Sequence, residues 1–238
     1  MKIARTPAFL ESIANDPRVF PSVSCAGMGR IDLAPVWERC VGLEFDTGGW
    51  LFYQLAPMYY EVHTLFLPRS RGVREAAAAA AHYMFTGTDC TELVTKVPDD
   101  LPHALSLARS MGFTDRFRRA AAWPRQAGAV GVTYLGLALD DWARVGGRDY
   151  LAERGAWLHD ALGDEKTHDD DPVHDVYVGL GVACAEAGQA EKGLWLYNRW
   201  AALAGYRPLE MHGGLVRFDG VALRVTDGNV TLENEPCP

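Results

Sequence analysis

The sequence predicts an α/β (α+β) fold: one mixed β-sheet flanked by helices, then a mainly helical C-terminal region that ends in short β-strands. Three observations predict it. Segments rich in β-branched and aromatic residues come first, between Val41 and Leu67. Helix-like and strand-like segments then alternate from Val73 to Ala138. After Asp140 the pattern is almost wholly helical. Such an order describes a layered sandwich around one sheet. It divides the 238 residues into an α/β domain at 1–138 and a helical region at 139–238.

Taken in order, "KIAR" at Lys2–Arg5 reads as a short strand, and Pro7 opens a helix that "NDP" at Asn15–Pro17 stops. A loop of small residues runs to Gly29, and Ile31–Cys40 is predicted as a short helix with Pro35 near its first turn. "VGLEFD", "WLFYQL" and "YYEVHTLFL" (the last at Tyr59–Leu67) are separated by the short turns "TGG" and "APM" and read as an antiparallel meander. Val73–Thr86 is a helix, because Ala76–Ala81 is a run of six alanines and alanine has the highest helix propensity. Cys90–Pro98 is a strand. Leu101–Met111 is a helix, closed by Gly112 at the left-handed C′ position. Asp115–Trp123 and Val132–Ala138 are strands joined through the turn "PRQAG". The helical region holds a hairpin around Gly188, and "TDGN" near the C-terminus marks a β-hairpin turn.

Composition limits the function classes. A net charge of −8 argues against general nucleic-acid binding, which needs a positive surface to displace counterions. Five scattered cysteines without a CxxC pair fit neither a disulfide framework nor a cysteine zinc site, and predict reduced thiols in a cytoplasmic protein. The N-terminus lacks the apolar core of a signal peptide, and no stretch has the roughly 20 apolar residues that span a membrane. "THDDDPVHD" at Thr167–Asp175 suggests a metal. The simpler account is an N-cap at Asp171, Pro172 at the first helical position and acids that complement the helix dipole, so no metal is expected. Trp142, Trp157, Trp195 and Trp200 are expected in the core of the C-terminal half.

The chemistry lies in "LPRSRGVREAAAAAAHYMF", Leu67–Phe85. A strand, then "RSRG", then a helix is the geometry of an anion site, because the first helical N–H groups lack internal partners and the macrodipole is positive there. Gly72 lets backbone approach a ligand, while Arg69, Arg71 and Arg74 can add charge-assisted hydrogen bonds. A solvated basic turn in front of an alanine-rich packing helix accounts for the same residues. On the preceding strand the two-residue period places Glu61 and His63 on one face, as a candidate base pair or as hydrogen-bonded structural residues. Glu44 and Tyr53 are weaker candidates.

The block "YEVHTLFLPRSRG…YMFTGTDCTELVTKVP…A…GF" resembles the GNAT N-acetyltransferase superfamily, and within it the GNAT-like proteins encoded by tailed phages and prophages. "NDPRVFPSVS" and "YNRWAALAGY" extend the resemblance over nearly the whole chain. It implies acetyl-CoA as co-substrate, held along splayed strands with its pyrophosphate on a Q/R-x-x-G-x-G/A turn. Arg69, Arg71 and Gly72 match that turn, with Val73 and Arg74 completing it, and backbone amides over Leu65–Leu67 would donate to the acyl carbonyl. Glu61 or His63 would deprotonate an amine acceptor. The chain departs from the family pattern at three positions. Arg74 stands where the turn has a second glycine or alanine, Leu101 where an asparagine contacts CoA, and Ala108 where a tyrosine serves as general acid. Two functions follow from the resemblance: a CoA-dependent N-acyltransferase in the host cytoplasm, or a catalytically reduced scaffold partnered by phage structural proteins in the virion. Neither the acceptor nor the oligomeric state is set by the sequence.

Overall fold

A computed structural model describes residues 1–162, 172–205, 209, 211–212, 215–218, 221–226 and 229–233. Contacts divide the chain into two units, one of Met1–Ala81 with Cys90–Leu139, the other of His82–Asp89 with Asp140–Pro238. The linear division drawn from the sequence at residue 138 misses His82–Asp89, the end of one helix and the turn after it.

The first unit is built on a seven-stranded mixed sheet in the order β1-β2-β3-β4-β5-β7-β6. Its elements are β1 (Lys2–Ile3), α1 (Ala8–Ala14), α2 (Phe20–Val23), a 3₁₀ helix (Ala34–Arg39), β2 (Cys40–Phe45), β3 (Gly48–Ala56), β4 (Tyr59–Phe66) and α3 (Val73–Gly87). β5 (Glu92–Pro98), α4 (Pro102–Ser110), β6 (Thr114–Arg125) and β7 (Gly128–Ala138) follow. The meander β2-β3-β4 is antiparallel as expected, and β4–β5 is the parallel pair. Three expectations need adjustment. The loop before Gly29 contains α2, which Pro21 starts near its first turn. The helix expected over Ile31–Cys40 is a six-residue 3₁₀ segment. β6 and β7 run on to Arg125 and Gly128, so the turn between them is shorter than "PRQAG". Gly112 sits at φ +91° after α4, the left-handed conformation that closes the helix.

Core packing fixes which face is which. Leu10, Ile13 and Ala14 of α1 cluster with Leu51 of β3 and Leu65 of β4. Leu51 lies opposite His63 in the ladder, so Glu61, His63 and Leu65 share the face that carries α1. Val62 and Thr64 point to the other face, where they line a recess with Ala77, Ala80 and Ala81 of α3. The run of alanine therefore lets α3 lie close to the sheet.

In the second unit, α5 (Leu139–Arg144, its first residue belonging to the sheet unit), α6 (Arg148–Leu162), α7 (Pro172–Glu186) and α8 (Ala190–Ala204) precede a four-stranded antiparallel sheet. That sheet holds β8 (Met211–His212), β9 (Leu215–Phe218), β10 (Val221–Thr226) and β11 (Asn229–Glu233). The hairpin at Gly188 forms, with φ +78° at the glycine, and Thr226 pairs with Asn229, while the two central residues of "TDGN" lie outside the described residues. Backbones meet closely where α6 and α7 cross, since a Cβ on Gly179 would stand 1.7 Å from the Leu151 carbonyl oxygen. Trp142 and Trp200 are buried as expected, but Trp195 is 47% exposed, because the face of α8 it occupies also carries Arg199, whose guanidinium lies 5.8 Å from its ring. Trp157's side chain, and residues 167–171 of the acidic run, lie outside the described residues. Among the described residues no helix is long and apolar enough to cross a membrane.

Candidate active site

β4 and β5 pair over three positions only, from Tyr59↔Glu92 to Glu61↔Val94. Beyond them the parallel strands part, with Thr95 Oγ1 donating to the Val62 carbonyl at 3.1 Å as the last bridge. The split opens a recess of about 900 Å³, counted to its open mouth. Trp50, Leu93, Thr95, Val97, Leu107 and Met111 make it mostly apolar, and His63 and Lys96 bring polar groups to it.

Strand geometry decides which backbone groups face the split. Residues of β4 direct N–H and C=O alternately to β3 and to β5. Leu67 N–H donates to the Thr47 carbonyl at 3.0 Å, on the β3 side. The Met58 carbonyl accepts from Glu92 N–H, and that of Val62 accepts from Thr95, both on the β5 side. The expectation for Leu65 and Leu67 is therefore corrected: their amides are turned to β3, and Thr64 and Phe66 present theirs to the split. The Leu65 side chain is core, 3% exposed, and Leu67 packs against the same cluster.

Glu61 and His63 are brought together. Glu61 is buried at the point where the strands part, with its Oε1 3.5 Å from His63 Nε2 and its Oε2 2.8 Å from Lys96 Nζ. His63 keeps 43% of its side-chain surface and is among the residues that line the recess. Burial pushes its pKa below the ordinary imidazole value, Lys96 adds to that, and Glu61 opposes it. Lys96 is the residue that sequence reasoning missed. It stands on Glu61's face only because of the β4–β5 register, and nothing local in "ELVTKVP" announces that. Of the weaker candidates, Tyr53 lies opposite Glu61 under the Arg39 guanidinium, and Glu44 pairs with Lys2 at 3.2 Å.

After β4 the chain makes a tight turn, with Ser70 N–H donating to the Leu67 carbonyl at 3.2 Å. Pro68 and Arg69 occupy its centre, and Arg69 adopts φ +66°, a conformation usually left to glycine. Gly72, at φ +68°, accepts from Ala76 N–H, so the amides of Val73, Arg74 and Glu75 precede the helical ladder. A Cβ at Gly72 would meet nothing nearer than Glu75 Oε2 at 3.8 Å, which leaves the space before the helix open. Arg69, Arg71, Gly72 and Arg74 are exposed. Arg69, Arg71 and Gly72 line a second recess with Phe45, Phe66 and Lys2, whereas His63 lines the first. The two halves of the predicted site thus lie at opposite ends of the later part of β4.

These features define an α/β chain with a split parallel strand pair and a basic turn leading into a helix. No protein-family model matches it, and no curated protein is similar to it in sequence. Solved structures similar to it include a probable acetyltransferase, at 14% identity and TM-score 0.46, covering 56% of this chain and 87% of that one. Another is the spermidine N-acetyltransferase of Vibrio cholerae in complex with CoA and spermine, at 15% identity and TM-score 0.38, covering 40% of this chain and 60% of that one. A third is an acetyltransferase of the GNAT family from Bacillus anthracis, at 14% identity and TM-score 0.39, covering 43% of this chain and 67% of that one. Likenesses at this level do not assign the chain to a family.

Proposed function

We propose that the chain is a GNAT-type acyltransferase of the phage-encoded group, which moves an acetyl or acyl group from acyl-CoA to an amine. The carrying observation is the parting of β4 from β5 directly after Glu61↔Val94, with an open-backed glycine turn at the far end of the same strand. Acyl-CoA would lie along the split, its carbonyl and pantetheine amides meeting the free backbone of Thr64 and Phe66. Its pyrophosphate would rest on the Gly72–Glu75 amides, flanked by Arg69, Arg71 and Arg74.

The base falls to His63. In a neutral imidazole the nitrogen nearest a carboxylate carries the hydrogen, so Nε2–H faces Glu61 and Nδ1 keeps the lone pair. His63 would take the proton as the amine attacks the thioester carbon. The C–S bond then breaks, and the thiolate leaves and is protonated from solvent, since Ala108 offers no acid.

A second reading, a scaffold of the phage particle with catalysis lost, is favoured by Leu101 and Ala108, which make the recess apolar at both positions. Titration calorimetry with acetyl-CoA separates the two. The transferase reading expects saturable binding that Gly72→Glu reduces at least ten-fold, through its carboxylate and the strained φ. No heat at millimolar ligand, with the protein found in purified virions by mass spectrometry, establishes the scaffold instead.

A further inference from the structure

β6 carries four arginines, and three are matched by acids: Arg116 by Glu92, Arg118 by Asp99 and Arg125 by Asp100. Arg119 has no carboxylate at ion-pair distance among the described residues. Its guanidinium lies instead 5.6 Å from the ring centroids of both Phe117 and Tyr134, and those rings stack at 4.3 Å and 17°. Beside this stacked pair and with no carboxylate against it among the described residues, the guanidinium keeps N–H edges free for a planar anion. Phe117 is 50% exposed, so the platform is open to solutes.

The platform belongs to the same face as the candidate base. Glu61 reaches Lys96, Lys96 pairs across the ladder with Tyr134, and Tyr134 pairs with Phe117. A row crossing four strands therefore runs from the Glu61–His63 pair to an unmatched cation. Neighbouring strands lie about 4.8 Å apart, so the backbone at Lys96 and at Phe117 is separated by roughly 10 Å. An acceptor nitrogen at His63 and an anionic group on Arg119 must then be several bonds apart, and not on one carbon.

We infer that Arg119, beside the Phe117–Tyr134 pair, binds a carboxylate of the acceptor, which is an ω-amino carboxylate and not a plain amine or polyamine; this rests on the acyltransfer reading above. The test is direct binding of 6-aminohexanoate, hexylamine and glycine by calorimetry, with no acyl donor present. 6-Aminohexanoate is expected to bind at least ten-fold tighter than either of the others, and Arg119→Ala to cut that advantage below three-fold without changing the melting temperature. Arg119→Lys, which keeps the charge and loses the fork, should retain part of it. Equal or tighter binding of hexylamine, an advantage that survives Arg119→Ala, or no binding of any probe at millimolar concentration overturns the assignment. Carboxylate preference without acetyl-CoA binding leaves this subsite standing and sinks the transferase reading; acetyl-CoA binding without the preference does the reverse.

Discussion

His63 shows how little a residue's chemistry follows from its type. The imidazole stands between a carboxylate that raises its pKa and an ammonium and burial that together lower it, and the lowering wins. Below its pKa the ring is protonated and is no base; above it the lone pair is available. Activity is therefore expected to show a rising limb from His63 with its half-point below 6.5, the ordinary imidazole value, distinct from the later rise as the acceptor amine itself loses its proton. Glu61→Gln removes the group that favours protonation, so that half-point should move lower still; a half-point that moves upward counts against this arrangement. His63→Gln should cost roughly 100-fold or more in rate if the ring is the base. That Glu61 and His63 share a face was legible from the two-residue period. That Lys96 joins them was not, because a neighbour on another strand is set by register.

At the level of elements, local chemistry was read with fair completeness where it is local. The alanine run, the glycine after α4 and the short turns of the meander each act within a few residues, and each element formed where those signals stood. The direction of the Leu65 and Leu67 amides was misread for the opposite reason. A strand offers its N–H groups to two neighbours in turn, and which parity goes to which neighbour depends on where Thr47 meets Leu67. Close helix contact is likewise invisible beforehand. Gly155 and Gly179 look like helix-weakening residues, yet a Cβ on Gly155 would stand 2.2 Å from the Asp175 carbonyl oxygen, and that on Gly179 would collide with Leu151 backbone. Gly179→Ala should gain helix propensity and still destabilise. The loss expected is about 1–3 kcal/mol or more in denaturant unfolding, as for an overpacked core; a stabilised variant would show that α6 and α7 do not meet as described.

For the whole molecule, stability should depend on pH through histidine. His82 lies in the second unit with its ring 4.6 Å from that of Tyr150, and burial, then Arg154, push its pKa below 6.5. A histidine depressed in the folded state binds fewer protons there than in the unfolded chain, so its contribution is complete above 6.5 and falls away as the pH drops below that. His63 adds a loss of the same sign. Melting temperature is expected to fall between pH 7 and pH 5. His82→Phe, which keeps the ring against Tyr150 and Trp142, should flatten that fall; an unchanged slope would place the acid sensitivity elsewhere.

By itself the sequence determined the order and type of the elements, the α/β class and the glycine turn before α3, since propensity, periodicity and turn chemistry act between near neighbours. Only the tertiary structure decided where β4 and β5 part, which amides face the gap, that Lys96 closes on Glu61, that Arg119 is left without an acid among the described residues, and that His82–Asp89 belongs with the helices. Each of these depends on register and packing between residues far apart in the chain, which no local pattern encodes.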